Sequence, residues 1–441
     1  MIRRVAAARD AILKNKLTRD IMWSMGSFVI LAISGIVINI AVAGFRDAAA
    51  LGVFNLAYAV YIVASQFAAF GIHYSVLRYA AYYSDDPDTR GIMFHTASLL
   101  AVVLGCVAAV ALWRLAPWLG SQFQSGHAGG AIGYAAFGLF LFPLNKVLLA
   151  YLNGLREMKA FSILQATRYL VVMIGVCSVA ASQASIELST FAFITAEIVT
   201  ALGSFAVIVK KRLGGTRAIS LSWVKSHFAF GTKGLASGMF AEVNSRVDVL
   251  LIGYFLNDRA TGIYSFAAML VDGLYHVIAM VRINFNPVLV SAVKQKEWAS
   301  AQSLMKKTRQ LVVPGVLGLA IVIAAAYWVL AGFILPGRGL MEGMPSLLIL
   351  LTGVVLASSF VPFDNLMVVS GHPGFQALQQ VGVVVANASV AILLLPVLGV
   401  EGAATGTAIS YLTNVLLLCV FTQRMLGWNL LSNSVRSTSN R

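Results

Sequence analysis

Long apolar stretches with few charges recur along most of the chain. Many run for about 20 residues, the length that a helix needs to cross the hydrocarbon core of a bilayer. Apolar and polar positions do not alternate within them, as they would in the strands of an outer-membrane barrel. The pattern therefore predicts transmembrane helices. We expect twelve, at residues 21–44, 52–77, 92–116, 131–153, 162–182, 188–209, 231–256, 262–290, 310–334, 345–369, 375–398 and 402–424.

The composition supports the same class of protein. Of the 441 residues, 59% are hydrophobic and 11% are charged. A soluble domain carries about 25% charged residues, which it needs to keep its surface in water. The sequence therefore indicates an all-α polytopic membrane protein.

Lysine and arginine in the predicted loops fall mainly on one side of the membrane. The side that holds the N-terminus has 23 of them and the opposite side has four. By the positive-inside rule, both termini should lie in the cytoplasm, and an even number of spans agrees with their being on the same side. The formal net charge of +15 then reflects topology and attraction to membrane lipid, and it does not indicate a nucleic-acid partner.

The two halves of the chain resemble each other. "AALGVFNLAYAV" (49–60) is similar to "RATGIYSFAAML" (259–270), with Gly52 aligned on Gly262. Six predicted spans separate the two stretches, so both have the same orientation in the membrane. Such repeats are related by an axis along the membrane normal. We therefore expect two six-helix lobes around a central cavity.

A weaker similarity links "PLNKVLLAYLNG" (143–154) with "PFDNLMVVSG" (362–371), again six spans apart. Together the repeats and the loop charges predict five regions. These are a basic cytoplasmic arm (1–20), an N-terminal six-helix lobe (21–209), a cytoplasmic linker (210–230), a C-terminal six-helix lobe (231–424) and a cytoplasmic tail (425–441).

Four basic residues inside the spans form a series from the cytoplasmic ends towards the middle: Lys146, Arg168, Arg282 and Arg246. An ionisable group at the bilayer centre costs about 2.5–3.5 kcal/mol on insertion scales, so it usually faces the bundle interior or water. Each cation needs an anion. Acidic side chains could supply some of these anions, and a phosphorylated ligand could supply the others.

The segment "EVNSRVD" (242–248) places three charges within the predicted seventh span. Glu242 and Arg246 are four residues apart, on one face of a helix, whereas Asp248 should point roughly the other way. Two interpretations stay open. Glu242 and Arg246 could form a buried pair that neutralises itself, or Arg246 could serve a ligand.

Deep acidic residues suggest how transport could be driven. Asp248 and Asp272 have no lysine or arginine one helical turn away, and with Glu242 they are the predicted sites of proton or sodium exchange. The sequence has no G-x-x-x-x-G-K-[ST] motif, so it indicates no ATP motor on this chain. The three cysteines lie in three different spans, and we expect neither a metal centre nor an organic cofactor.

Three stretches resemble one family of transporters. They are "LNGLREMKAFSILQATRYL" (152–170), "NSRVDVLLIGYFLNDRATGIYSFAAML" (244–270) and "LPVLGVEGAATGTAIS" (395–410). They resemble the polysaccharide-transporter family, the O-antigen (Wzx-type) flippases of the multidrug/oligosaccharidyl-lipid/polysaccharide exporter superfamily. The resemblance covers about residues 20–425. One departure is His372, where the family often has a basic residue after the glycine.

The resemblance implies a flippase of the bacterial inner membrane. Its substrate would be an undecaprenyl-diphosphate-linked oligosaccharide, which moves from the cytoplasmic to the outer leaflet during synthesis of lipopolysaccharide O-antigen or an exopolysaccharide. Arg246 and Arg282 would clamp the diphosphate, and Lys146 and Arg168 would draw it in. Other polysaccharide-assembly proteins could be partners.

Two alternatives remain. An ion-coupled multidrug exporter of the same superfamily would have the same architecture, but a carrier of cationic drugs would need an acidic cavity. A membrane-embedded enzyme of polysaccharide assembly would need larger loops outside the membrane than this chain has.

Overall fold

The chain forms two compact units, each of them helical. The computed structural model describes residues 16–295 and 297–435. One unit contains Val60–Met239 together with the described residues up to Arg46. The other contains Asp47–Ala59 and the described residues from Phe240 onwards.

The helices in the first half of the chain vary widely in length. In chain order they are α1 (Lys16–Phe45), α2 (Ala48–Ala69), α3 (Ile72–Tyr82), α4 (Pro87–Gln122), α5 (Ala128–Ala136), α6 (Phe142–Gly154), α7 (Met158–Ala181) and α8 (Ala192–Lys210). Short 3-10 segments cover Phe137–Phe140 and Ile186–Phe191.

The second half follows a similar plan and ends in a small hairpin. The helices are α9 (Leu221–Asn244), α10 (Val247–Phe255), α11 (Asp258–Gln295), α12 (Trp298–Lys307), α13 (Val313–Val329), α14 (Met344–Ala357), α15 (Leu366–Val369), α16 (Pro373–Leu398) and α17 (Val400–Leu426). Strands β1 (Trp428–Asn429) and β2 (Ser434–Val435) follow. Two segments, Thr308–Val312 and Leu330–Ile334, are π-helical, and Leu340–Gly343 and Val361–Phe363 are 3-10.

Local sequence sets several of the helix ends. Asp86 caps α4 by accepting a hydrogen bond from the Thr89 backbone N–H at 3.0 Å, and Pro87 occupies the first turn, where its missing N–H costs nothing. At the end of α7, Arg46 donates to the carbonyl oxygens of Ala180 at 2.8 Å and Val179 at 3.2 Å. A cation there satisfies carbonyls that the helix leaves unpaired.

The prediction of an all-α, multi-span membrane protein is confirmed. Among the described residues, ten helices are long and apolar enough to cross a membrane. A further span is bent by 41° where Ala128–Phe140 meets Phe142–Gly154. Eleven of the twelve predicted spans therefore have a counterpart.

The predicted seventh span, 231–256, is wrong as one continuous helix. The structure divides it into α9 and α10 at Ser245 and Arg246. Ser245 donates its hydroxyl hydrogen to the Glu242 carbonyl at 2.8 Å, and the Arg246 N–H bonds to the Val243 carbonyl at 3.0 Å. These short-range bonds take carbonyls that a continuing helix would use, so the helix ends here.

The two stretches of the stronger internal similarity, 49–60 and 259–270, pack against each other in the second unit. The Gly52 and Gly262 backbones pack so closely that neither position has room for a side chain. A Cβ on Gly52 would collide with the Asp258 carbonyl, and a Cβ on Gly262 would collide with the Ala48 carbonyl. The two aligned glycines thus make reciprocal contacts between α2 and α11.

We expect Gly52→Ala to destabilise the protein, because the added methyl group meets backbone atoms that cannot rotate away. Overpacking of this kind costs about 1–3 kcal/mol or more. The measurement is the thermal unfolding midpoint in detergent. Gly318→Ala is the matched control, since a Cβ there meets nothing within 4 Å. Equal midpoints for the two variants would contradict the close packing.

Candidate functional site

A buried ion pair lies in the first unit, beside the bend that precedes α6. Arg168 of α7 and Glu197 of α8 are 2.5 Å apart, and the Glu197 side chain is 1% exposed. Asn145 donates from Nδ2 to Glu197 Oε2 at 2.6 Å and to the Glu197 carbonyl at 2.8 Å, and the Tyr61 hydroxyl donates to Oε1 at 3.5 Å. A buried charge pair is tolerated when its remaining lone pairs are satisfied in this way.

Two of the predicted site residues share one aromatic neighbour. The Arg168 guanidinium carbon lies 4.9 Å from the centroid of the Phe142 ring, and Lys146 Nζ lies 5.5 Å from the same centroid. Lys146 follows Phe142 by four residues, so both lie on one face of α6. Because an aromatic face attracts cations, the ring helps to hold positive charge at this position.

A second buried pair lies in the second unit, where another span is broken. Arg282 of α11 is 3.4 Å from Asp364, which directly follows the 3-10 segment Val361–Phe363. Asp364 also accepts hydrogen bonds from Asn414 Nδ2 at 2.6 Å and from the Tyr275 hydroxyl at 3.5 Å. The buried Nε of Arg282 has no hydrogen-bond partner among the described residues. Arg282 is therefore less completely satisfied than the carboxylate that it pairs with.

The two pairs have the same construction. The weaker repeat aligns Asn145 of "PLNK" with Asp364 of "PFDN". Asn145 bonds to Glu197 on α8, and Asp364 bonds to Asn414 on α17, both at 2.6 Å. The amide and the carboxylate have exchanged places between the halves, while the bond between them is retained.

Arg246 lies on the far side of the helix break from Glu242. Its φ of −130° is not helical, so the four-residue spacing no longer brings the two side chains onto one face. Glu242 is exposed, and none of the six ion pairs among the described residues joins it to Arg246. The interpretation as a self-neutralising buried pair is therefore wrong. Arg246 instead stacks its guanidinium over the Tyr58 ring, 5.0 Å from the centroid.

Asp248 is buried among oxygen atoms that several helices supply. The hydroxyl of Tyr264 donates to Asp248 Oδ2 at 2.5 Å, and Thr407 Oγ1 lies 3.3 Å from the same oxygen. Thr407 Oγ1 is also 3.5 Å from Asn387 Oδ1, and Asn387 donates to Asn244 at 3.4 Å. A carboxylate with hydroxyl and amide oxygens around it can take up a proton or a small hard cation.

Asp272 is half-buried on α11. The positive charge of Arg246 is attracted by the carboxylates of Asp272, Asp248 and Glu242. His276 Nδ1 lies 2.6 Å from the Asp272 backbone carbonyl, so the main chain, and not the carboxylate, holds this ring. The structure thus brings Arg246, Asp248 and Asp272 into one electrostatic group.

Sequence reasoning missed the uncharged members of these clusters: Asn145, Asn414, Asn387, Tyr264 and Thr407. None of these side chains is charged, so the distribution of charge inside the spans does not single them out. Yet an amide in an apolar span is also costly without a partner, and it usually bonds to another helix. A search for such amides would have found the three asparagines, but the two hydroxyl groups carry no comparable signal.

Solved structures of membrane transporters have this fold. The structure titled "Lipid II flippase MurJ, inward closed conformation" is similar over 91% of this chain and 87% of that chain, with a TM-score of 0.74 and 13% identity. A multidrug resistance MATE family transporter of the MOP superfamily, in its inward-facing conformation, is similar over 92% and 96%, with a TM-score of 0.70 and 13% identity. At these identities the likeness shows the fold.

The sequence shows the family. The chain matches the family described as "Polysaccharide biosynthesis protein" over residues 17–289, and it belongs to that family. This confirms the resemblance to polysaccharide transporters. No curated protein matches the sequence.

We expect Glu197→Gln to destabilise the protein, because Arg168 would be left as an uncompensated buried charge. Breaking such a pair costs about 3–5 kcal/mol. The double variant Glu197→Gln with Arg168→Gln removes both charges and should regain most of the loss, as thermal unfolding would show. A double variant no more stable than Glu197→Gln would contradict this. If the stable double variant exported substrate normally, Arg168 would have no part in binding.

Proposed function

We propose that this protein transfers an undecaprenyl-diphosphate-linked oligosaccharide from the cytoplasmic to the outer leaflet of a bacterial inner membrane. The cargo would be the repeat unit of a surface polysaccharide, and the protein would act by alternating access, as a transporter and not as an enzyme. Family membership supports the polysaccharide role. The asymmetry of loop charge supports an orientation with both termini in the cytoplasm.

One observation carries the assignment of the headgroup site. The buried Nε atoms of Arg246 and Arg282 both lack a hydrogen-bond partner among the described residues. A buried donor left unsatisfied costs about 1–3 kcal/mol. Phosphate oxygens would satisfy these donors, because the planar guanidinium fork matches phosphate and stays protonated. The proposed ligand of these two arginines is therefore the diphosphate.

We propose that the two arginines lie at successive levels of the fold. Asp272, which attracts Arg246, and Arg282 are ten residues apart on α11, so about 15 Å of helical rise separates them. In the proposed orientation, a diphosphate from the cytoplasm would meet Arg282 first and Arg246 deeper. Lys146 and Arg168 would add attraction for the anion.

Charge compensation is needed because a diphosphate cannot enter hydrocarbon without losing its hydration. We propose that the sugars stay in water and the polyprenyl tail stays in lipid, so only the headgroup needs the arginines. Such a carrier would require the diphosphate but would have little specificity for the sugar.

Arg246→Ala and Arg282→Ala should each lower export at least about tenfold, since a hydrogen bond to a charged group contributes about 1.5–3 kcal/mol. The assay complements a deletion strain and measures lipid-linked repeat units that accumulate on the cytoplasmic face. Arg246→Lys keeps the charge without the fork and should retain part of the activity. Arg114→Ala, at an exposed arginine of α4, is the control. Normal export by both alanine variants at normal protein levels would exclude this site.

A multidrug exporter remains the second candidate, because a MATE transporter has the same fold. The deletion strain separates the two. Accumulated lipid-linked repeat units favour the flippase, whereas unchanged lipid pools with greater sensitivity to cationic drugs favour the exporter.

We further propose that proton or sodium exchange at Asp248, aided by Asp272, drives the cycle. The oxygen cluster around Asp248 supports this role, since a bound ion would change its hydrogen bonds to Tyr264 and Thr407. Glu242, the third predicted acid, is exposed and lies outside this cluster.

Asp248→Asn should abolish gradient-driven transport, because the amide cannot release a proton and offers a cation no negative charge. The purified protein would be placed in vesicles with lipid-linked oligosaccharide, and transport would be measured under a pH gradient and, separately, a sodium gradient. Asp85→Asn, in the exposed loop before α4, is the control. Full gradient dependence in the Asp248 variant would rule out this acid as the coupling site.

A further inference from the structure

A hairpin follows α17 within the second unit. Strand β1 pairs with β2 in antiparallel register, with Trp428 opposite Val435. The Trp428 side chain is 0% exposed, and its indole Nε1 donates to Asn433 Oδ1 at 3.2 Å. Two-stranded hairpins are marginally stable alone in water. This one therefore depends on what it packs against.

Polar bonds join the hairpin to α12 and to the π-helical segment that follows. Gln302 Nε2 donates to the Asn433 carbonyl at 2.9 Å, and Asn433 Nδ2 donates back to the Gln302 carbonyl at 3.0 Å. Arg309 donates to the carbonyl oxygens of Leu430 at 2.7 Å and Leu431 at 2.9 Å. These bonds fix the register of the hairpin on the unit.

Aromatic contacts then lead from the hairpin towards the candidate site. The Trp428 ring centroid is 5.8 Å from that of Trp298 and 5.8 Å from that of Phe363. Phe363 in turn lies 5.8 Å from Phe285, with the rings near edge-to-face. Pairs in such arrangements contribute beyond the apolar area that they bury.

The far end of this chain of rings lies close in the sequence to Arg282 and Asp364. Phe363 directly precedes Asp364, and Phe285 lies three residues, less than one helical turn, beyond Arg282. Trp428, Phe363 and Leu289 of α11 all belong to one buried apolar cluster.

The backbone around Asp364 offers little support of its own. The span is a short 3-10 turn here, held by Phe363 N–H to the Phe360 carbonyl at 2.8 Å and by Asp364 N–H to the Val361 carbonyl at 3.1 Å. Such turns have poorer hydrogen-bond geometry than an α-helix. Side-chain packing must therefore fix the direction of the carboxylate.

We propose that the C-terminal hairpin positions Arg282 for phosphate, with Trp428 acting through Phe363 and Asp364. The inference rests on the proposed function, which assigns Arg282 to the diphosphate. Trp428 itself touches no substrate. It holds the broken span so that Asp364 orients the guanidinium and leaves the fork available.

The test measures transport by the purified protein in vesicles against the concentration of lipid-linked oligosaccharide. Trp428→Ala should raise the concentration for half-maximal transport about tenfold, as expected for residues coupled in one network, with little change in the maximal rate. Trp428→Phe keeps an aromatic ring and should stay near the parent. Leu431→Ala, at a hairpin side chain that is 62% exposed, is the matched control. Trp428→Leu provides a second measurement should the alanine variant fail to fold.

Combining Trp428→Ala with Arg282→Ala shows whether Trp428 acts by positioning Arg282 or by stabilising the protein in general. Because Trp428 acts through Arg282, Trp428→Ala should weaken transport no further once Arg282 is gone. Multiplied losses, or an unchanged half-maximal concentration in both the Ala and Leu variants of Trp428, would overturn the inference while leaving Arg282 in place. Normal transport by Arg282→Ala alone would overturn the headgroup assignment and this inference with it.

Discussion

Charge inside an apolar solvent is the constraint on which this structure depends. A helix crossing lipid can satisfy its own backbone, but a buried carboxylate or guanidinium needs a partner from another helix. Glu197 and Asp364 obtain theirs in the same way. Each bonds to an asparagine from another span and pairs with one arginine. These contacts tie together helices that also meet through small and apolar side chains.

The buried ion pairs of the two halves differ in how well their charged groups are satisfied. In the first unit, Arg168 and Glu197 are in close contact, and several hydrogen bonds satisfy the carboxylate. In the second unit, Arg282 lies farther from Asp364, and its buried Nε has no acceptor among the residues that the structure describes. The two ion pairs therefore differ in how closely their charges approach each other. Both halves nevertheless contain the same bond between an amide and a carboxylate.

The sequence was sufficient to predict the positions of most spans and the class of protein. Both depend on how apolar each stretch is and on how many charged residues it contains. These properties can be read from the sequence because the hydrophobic effect depends on apolar area and not on a specific partner residue. The sequence did not predict the break at Ser245, where two local hydrogen bonds outweigh the helical pattern. The supposed pair of Glu242 with Arg246 failed for the same reason. A four-residue spacing places two side chains on one face only while the helix continues between them. The asparagine partners were not predicted because they depend on contacts between segments that are distant in the sequence.

The contact between Gly52 and Gly262 lies within the two stretches where the halves of the sequence are most similar. Each position excludes a side chain through backbone atoms of the other helix, so a change at one glycine cannot be offset by a smaller residue at the other. At the two ion pairs the halves differ, because the amide and the carboxylate have exchanged places. The similarity between 49–60 and 259–270 thus coincides with a contact at which neither helix has room for a side chain.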